Sequence, residues 1–417
     1  MQPTDIVILA NGPGEVITWV RPVVKCLRQI LLSEVSARIS VLLSPCPHST
    51  GREATIASSY PEVDRVLAAD DFFNFLLWGK TRDNWQWHQR GIVVFLGGDQ
   101  LYTVLVSKRL NYLSLVYAEW SARWYRFIDC FAVRNRQVIE KIPLAYRHKF
   151  TIVGDLMADV ALEVKRQYFK SEPESPKIGL LVGSKPAKLS QGVPLCMAIA
   201  EKIRQRQPQV RFVIPVAPTL ELTTIARYAD REYNRVISSL GNTTGELIED
   251  SISQTSYLVT SNGTRIQLVT EFPAYKTLVE CQLCLTTVGA NTAELTALKV
   301  PMIVLLPTQQ LDAMRSWDGL PGIVANLPGV GTIFAKLINW FVLKQERLFA
   351  WPNIWAEREI VPELVGKLQP EKVAKLVLNY LEHPDRLQAM RDRLDSVRGT
   401  TGAAKQIADL IKQTIET

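Results

Sequence analysis

The sequence predicts an α/β protein of two Rossmann-like, doubly wound domains facing a cleft, and three observations predict it. Its 417 residues exceed one ordinary core and suit two domains of about 150–200 residues each. Short apolar runs alternate with stretches of helical periodicity, as expected of parallel sheets covered on both faces. The alternation restarts beyond Phe169-Lys-Ser-Glu-Pro-Glu-Ser-Pro176, a polar, proline-bearing linker. The expected domains are 1–168 and 177–382, followed by C-terminal helices over 383–417 that could return to the first domain.

Taken in order, Asp5–Ala10 is a continuous apolar strand, Asn11–Glu15 a glycine turn, and Val16–Leu31 a helix. Further strands are expected at Arg38–Leu43, Ile92–Leu96 and Leu113–Tyr117. The second domain opens with a strand at Lys177–Val182, a turn at Gly183–Pro186 and a helix at Val193–Arg206. Val210–Val216 is the next strand, and Tyr257–Val269 reads as a hairpin around Asn262-Gly263. Strands at Cys281–Thr286 and Met302–Leu306 flank a helix at Asn291–Leu298, and three helical stretches follow Gln369. Ligands in such sheets bind beyond the carboxyl ends of the strands, so the expected site is the cleft between domains.

Composition is that of an ordinary globular chain, 47% apolar and 21% charged, with a formal net charge of +7. The positive charge favours an anionic partner without choosing one. Dispersed basic residues and the lack of a recognition motif argue against nucleic acid. No signal peptide and no membrane span is expected, because no apolar run approaches about 20 residues. The six cysteines are scattered, which suits reduced thiols and a cytoplasmic enzyme. Cys281-x-x-Cys284 lies in a buried strand pattern and reads as packing, since a structural zinc site needs four ligands.

Three turns carry the candidate chemistry. Asn11-Gly-Pro-Gly-Glu15 departs from a dinucleotide fingerprint, because its third glycine position is Ile17. No acidic residue follows the second strand, where Ser44 and Pro45 stand, so nicotinamide and flavin chemistry is set aside. Either this turn has no function, or Gly12 and Gly14 admit a substrate to the backbone with Glu15 facing the cleft. Gly183, Ser184 and Lys185 offer amides and a cation suited to a diphosphate. Gly289, Ala290, Asn291 and Thr292 open a helix whose free N–H groups also suit phosphate, and Glu294 could hold two ribose hydroxyls. The alternative makes Asn291 an N-cap and Glu294 its capping-box partner.

Four blocks carry a family resemblance. They are Leu181-Val-Gly-Ser-Lys185, Val153-Gly-Asp-Leu-Met-Ala-Asp159, Ala290–Met302, and Trp351-Pro-Asn-Ile-Trp-Ala-Glu-Arg-Glu-Ile-Val-Pro-Glu-Leu364. In the same order they resemble the Leu-Pro-Gly-Ser-Arg turn, the Gly-His-x-x-Ala-Asp segment, the glycine–threonine–glutamate block and the Pro-Asn to Pro-Glu-Leu stretch of lipid-A-disaccharide synthases. The resemblance is good from about 150 to 380 and thin before that. It implies the GT-B fold, a UDP-sugar held by the C-terminal domain, inversion at the anomeric carbon, and no metal or other cofactor. Glu294 would hold the ribose, and Asn353, Arg358, Glu359 and Glu363 would line or support the donor pocket. A Pro-Asn segment acting only as an interdomain brace is the alternative. Lys185 replaces the family's arginine, so a bidentate phosphate clamp becomes a point charge. The family's opening motif is replaced by Asn11–Glu15, which predicts a relative with a different acceptor.

Inverting transfer needs a base at the acceptor hydroxyl and positive potential at the departing diphosphate. The candidates for the base are Asp99 first, then Glu15, then Glu119. Each has an alternative reading as a helix N-terminal carboxylate. His48 and His88 are given no catalytic role. Two stretches suit contact with a lipid surface: the aromatic run Asp71–Trp78 with Trp85–Arg90, and Ile333–Leu343 with Lys336 and Lys344. Core packing competes for the aromatic run. The expected partners are a UDP-sugar donor, a lipid-like acceptor and a peripheral membrane surface at the inner face, with oligomerisation open. Rival readings are a UDP-sugar 2-epimerase and a non-catalytic nucleotide-sugar-binding protein.

Overall fold

Residues 3–31, 37–46, 51–163, 175–252, 254–307 and 348–416 are described by a computed structural model. The chain divides into two units, Met1–Leu162 with Gly399–Thr417, and Glu163–Arg398. Both are Rossmann-like α/β domains, so the fold is of the GT-B class.

The first unit holds β1 (Thr4–Ala10), β2 (Ala37–Leu43), β3 (Arg65–Leu67), β4 (Arg90–Phe95), β5 (Leu113–Ala118), β6 (Cys130–Val133) and β7 (Phe150–Ile152). They pair in parallel in the order β3-β2-β1-β4-β5-β6-β7. Every residue of β1 is buried, which is why it reads as a continuous rather than an alternating apolar run. The strand order reverses between β1 and β4, which makes their carboxyl ends a topological switch point. The helix expected from Val16 is broken into a π-helical turn, Val16–Val20, and α1 (Arg21–Leu31). Pro22 lacks the N–H that a regular α-helix would need there. The terminal helix Ala403–Glu416 packs on α1, with Ile407, Ala408 and Ile411 joining Val23, Val24 and Leu27 in the core.

At the amino end of this sheet the buried Asp5 carboxylate is fully engaged. It accepts from Arg38 Nε at 2.8 Å, the His88 N–H at 2.7 Å and the Tyr112 hydroxyl at 2.8 Å. Burial pushes its pKa up, but these donors outweigh burial and hold it below the usual carboxylate range. Trp85 and Trp87 stack on Arg65 of the same cluster, 4.3 and 4.5 Å from its guanidinium. These two rings are therefore committed to packing rather than to a lipid surface.

The second unit holds β8 (Lys177–Leu181), β9 (Arg211–Pro215), β10 (Gly245–Asp250), β11 (Thr255–Thr260), β12 (Arg265–Val269), β13 (Leu283–Thr287), β14 (Met302–Pro307) and β15 (Glu363–Gly366). Their order is β10-β11-β12-β9-β8-β13-β14-β15. The hairpin at Asn262-Gly263 is present, with Gly263 at φ +78, and β10 to β12 are antiparallel. The parallel part reverses between β8 and β13, giving a second switch point. The helix expected from Val193 begins seven residues earlier and spans Pro186–Arg206. Pro186 takes the N-terminal position that suits proline, and the helix continues through Pro194. Gly192 lets this helix lie against β8, since a Cβ there would stand 2.8 Å from the Val182 carbonyl oxygen. Cys281 and Cys284 are buried free thiols packed against Gly179. Of the helices expected beyond 383, Pro384–Val397 stays with this unit, burying Leu387, Met390 and Leu394.

Candidate functional site

Each switch point presents a distinct set of side chains. In the first unit the Asn11–Glu15 turn follows β1, and Glu15 lies over two glycines. A Cβ on Gly12 would stand 2.5 Å from Glu15 Oε2, and one on Gly97 2.9 Å from Glu15 Cγ. Gly97 is thus required by where the Glu15 stem sits, while a side chain at Gly12 would push the Glu15 carboxylate aside. Gly14 serves the turn through its carbonyl, which accepts from the Thr18 hydroxyl at 2.8 Å. Asn11 Oδ1 is buried beside them with no hydrogen-bond partner among the described residues.

Glu119 follows β5 and is only 16% exposed. Burial and the nearby Asp155 carboxylate push its pKa up to about 7, with Glu15 adding to the same effect. Its counter-charge is shared: Arg134 Nε pairs with Asp155 at 3.0 Å, while Arg134 Nη1 lies 3.8 Å from Glu119. Glu119 therefore sits near neutral pH in its titration, held by a hydrogen bond from Trp120 and a distant Arg134, in the pKa range a general base requires. Asp99 differs. It is exposed and serves as the N-cap of the helix Gln100–Leu110, accepting the Leu101 N–H at 2.9 Å.

The Val153–Asp159 block has a structural role. Asp159 is buried and accepts the N–H groups of Gly402 and Ala404, capping the terminal helix. Gly154, at φ +96, packs against Thr400 in the same junction.

In the second unit the turns after β8 and β13 meet the amino ends of two helices. Gly183 has φ +89 and Gly289 φ +144, both in the region that favours glycine. The N-cap of the helix Ala290–Ala297 is Gly289, so the capping box of Asn291 with Glu294 is not formed. Glu294 consequently lies in the second turn rather than the first. Burial raises its pKa to about 7, and its carboxylate has no hydrogen bond or ion pair among the described residues. Thr292 is buried and occupied: its hydroxyl donates to Gly289 O at 2.9 Å and accepts the Trp351 N–H at 3.2 Å. Ser184 and the backbone of Lys185 lead into the helix Pro186–Arg206, with Lys185 as N-cap.

Lys188 was missed by the reading of the sequence. Its side chain crosses from the Gly183 turn to the Gly289 turn. Its stem would be 2.9 Å from a Cβ on Gly183, and its Nζ donates to the Val288 carbonyl at 2.6 Å. The signal was available. Pro186 marks the first helical turn, and side chains there tilt back toward the amino end.

The Trp351–Leu364 block is a brace. Asn353 is fully buried and makes four hydrogen bonds: it donates to Val361 O and Glu363 Oε1 at 2.9 and 2.7 Å, and accepts from the Ile360 and Val361 N–H groups. Glu363 in turn accepts the Phe349 and Ala350 N–H groups. Arg358 and Glu359 are exposed on the same segment, and burial and the nearby Glu363 raise the pKa of Glu359.

No protein-family model matches the chain. Curated relatives do match. The lipid-A-disaccharide synthase of Nitrosococcus oceani is 22% identical over 266 residues, 61% of this chain and 54% of that protein. That of Persephonella marina is 23% identical over 250 residues, 58% of this chain and 52% of that protein. The chain is a divergent relative of the lipid-A-disaccharide synthases. It spans about half the length of the relatives it matches. Among solved structures, a putative UDP-N-acetylglucosamine 2-epimerase from Listeria monocytogenes has a TM-score of 0.57 at 13% identity, covering 100% of this chain and 97% of that one. The UDP-GlcNAc 2-epimerase from Neisseria meningitidis bound to UDP-GlcNAc has a TM-score of 0.50 at 12% identity, covering 99% and 100%. This second likeness is one of fold.

A groove of about 760 Å³ lies elsewhere in the second unit, between Arg227, Asp230 and the edge strand β10. None of the candidate site residues lines it.

Proposed function

We propose that the chain is an inverting, metal-independent glycosyltransferase that moves a sugar from a UDP-sugar to a lipid-like acceptor. The observation that carries this is the complementary chemistry of the two switch points: an elevated carboxylate at one, and cations with open helix amides at the other. Glu119 takes the proton of the acceptor hydroxyl as that oxygen attacks the anomeric carbon. The bond from that carbon to the diphosphate breaks, and UDP leaves with the electron pair. The lysines and amides at 183–188 and 289–292 receive its charge. Burial and Asp155 keep the pKa of Glu119 high, and Glu15 adds a smaller negative potential there. Glu294 holds the ribose through an unpaired carboxylate.

The surface supports a lipid-like acceptor. In the helix Phe72–Trp78, Phe72 and Phe75 are core, while Phe73, Leu77 and Trp78 are 47%, 61% and 71% exposed. Lys80 and Arg82 follow and are also exposed. Apolar side chains beside cations suit the headgroup layer of the inner membrane face. No helix among the described residues is long and apolar enough to cross a membrane. The second stretch expected to face lipid, Ile333–Leu343, lies outside the described residues.

The test is product analysis with a panel of UDP-sugars, with and without amphipathic alcohols. UDP released only when an acceptor is present, with a glycosylated product of inverted configuration, is the expected result. Conversion of UDP-N-acetylglucosamine to its C2 epimer without acceptor would replace this reading with the epimerase one. Binding of UDP without any turnover would replace it with the binding-protein one.

A further inference from the structure

Two lysines approach one another at the second switch point, and no carboxylate is paired with either among the described residues. Lys188 is the less explained of the two. We propose that Lys188, rather than Lys185, is the residue that grips the donor diphosphate, held ready for it between the Gly183 and Gly289 turns. This rests on the donor-site reading above.

Geometry supplies the case. Among the described residues Lys188 Nζ has one partner, the Val288 carbonyl at 2.6 Å, and two of its three N–H groups have no acceptor there. That bond directs the ammonium to the start of the helix Ala290–Ala297, whose N–H groups ahead of Thr292 have no intrahelical acceptor, Thr292 itself donating to Gly289 O. A Cβ on Gly289 would lie only 3.1 Å from Nζ, so the glycine keeps the cation next to the backbone. The side chain also spans both strands of the switch point, β8 and β13, where a ligand of this fold is expected. Lys185, in contrast, is the helix N-cap and its side chain has no described partner to direct it.

Electrostatics agree. Burial, and then the charge of Lys185, push the pKa of Lys188 down to about 8. A half-buried cation beside a second cation costs stability in the free protein, and a diphosphate relieves that cost. The sign of the pH effect follows: the diphosphate needs the protonated lysine, so its affinity is highest below about pH 8 and falls above it.

The experiment is calorimetric titration of the full chain with UDP, uridine and inorganic pyrophosphate, for the wild type, Lys188→Met and Lys185→Met. Loss of one charge-assisted contact predicts about tenfold to a hundredfold weaker UDP and pyrophosphate binding by Lys188→Met. Uridine affinity should be unchanged, and Lys185→Met should lose less. Equal UDP affinity of Lys188→Met and wild type overturns the proposal and leaves the donor reading intact. A wild type that binds neither UDP nor pyrophosphate overturns the donor reading itself. If Lys188→Met does not fold, the wild type decides. Its UDP affinity should fall between about pH 7 and about pH 8.5, below the ionisation of the uracil N3–H, while uridine affinity stays level, and parallel profiles overturn the proposal.

Discussion

The carboxyl edges of the two sheets each hold a topological switch point and differ in charge. Beyond β1, β5 and β7 the side chains are acidic: Glu15, Glu119 and Asp155, of which Glu119 and Asp155 share Arg134 as their described ion-pair partner. Beyond β8 and β13 the turns gather Lys185 and Lys188, with Glu294 set back in the second turn of its helix. Both edges place glycines where a side chain would collide with the functional group, Gly12 and Gly97 at Glu15, and Gly183 and Gly289 at Lys188. In the proposed reading, a topological switch point presents a proton acceptor in one unit and an anion receptor in the other. Function here lies in what each edge carries, not in the sheets themselves.

Removing the elevated carboxylate should break the acidic side of this comparison most severely. Glu119→Gln is expected to lower kcat by about 10²–10⁴-fold with UDP affinity unchanged, read by initial rates and calorimetry. The wild-type kcat/KM should rise through about pH 7 as Glu119 loses its proton, and fall above about pH 8 as Lys188 loses its own. Asp99→Asn should leave turnover near wild type, since Asp99 is exposed and engaged as a cap. If Asp99→Asn abolishes turnover instead, the base is Asp99.

Gly97→Ala sharpens the same point at smaller cost. Its new Cβ would meet Glu15 Cγ at 2.9 Å and displace the carboxylate. A misplacement of this kind costs up to about 10² in rate, measurable as a loss in kcat at constant melting temperature. Asp159→Ala tests stability rather than chemistry. It leaves the Gly402 and Ala404 N–H groups without their acceptor, which predicts a loss of about 1–3 kcal/mol in denaturant unfolding. The smallest effect is expected at the surface, where Trp78→Glu should reduce sedimentation with anionic vesicles without changing turnover of a short-chain acceptor.

Much of the architecture was legible because parallel strands buried on both faces leave continuous apolar runs, as at Ile6–Leu9 and Leu283–Leu285. Helix starts were less legible. The helix expected from Val193 begins at Pro186 instead, because close packing on Val182 suits Gly192 within it and the helix absorbs Pro194. The site was legible in outline, since glycine turns at strand ends mark both edges. Lys188 escaped because its importance comes from bridging two turns distant in sequence, and Arg134 escaped for the same reason. The reading of Trp351–Leu364 singled out residues whose hydrogen bonds, once seen, hold a brace: Asn353 and Glu363 tie Phe349–Val361 together. The aromatic run divided between both expectations, because alternate sides of one short helix face the core and the solvent.

The claim on which the rest depends is that the second switch point binds a uridine diphosphate. Thermal unfolding of the full chain with UDP, GDP, ADP and NAD side by side tests it most directly, with Glu294→Ala as the paired variant. Ligand at about a hundred times its Kd adds about 2.7 kcal/mol of stability. The account predicts a raised Tm with UDP alone, lost in Glu294→Ala. An unmoved Tm with every nucleotide at about 1 mM, or the same shift with all four, would contradict it.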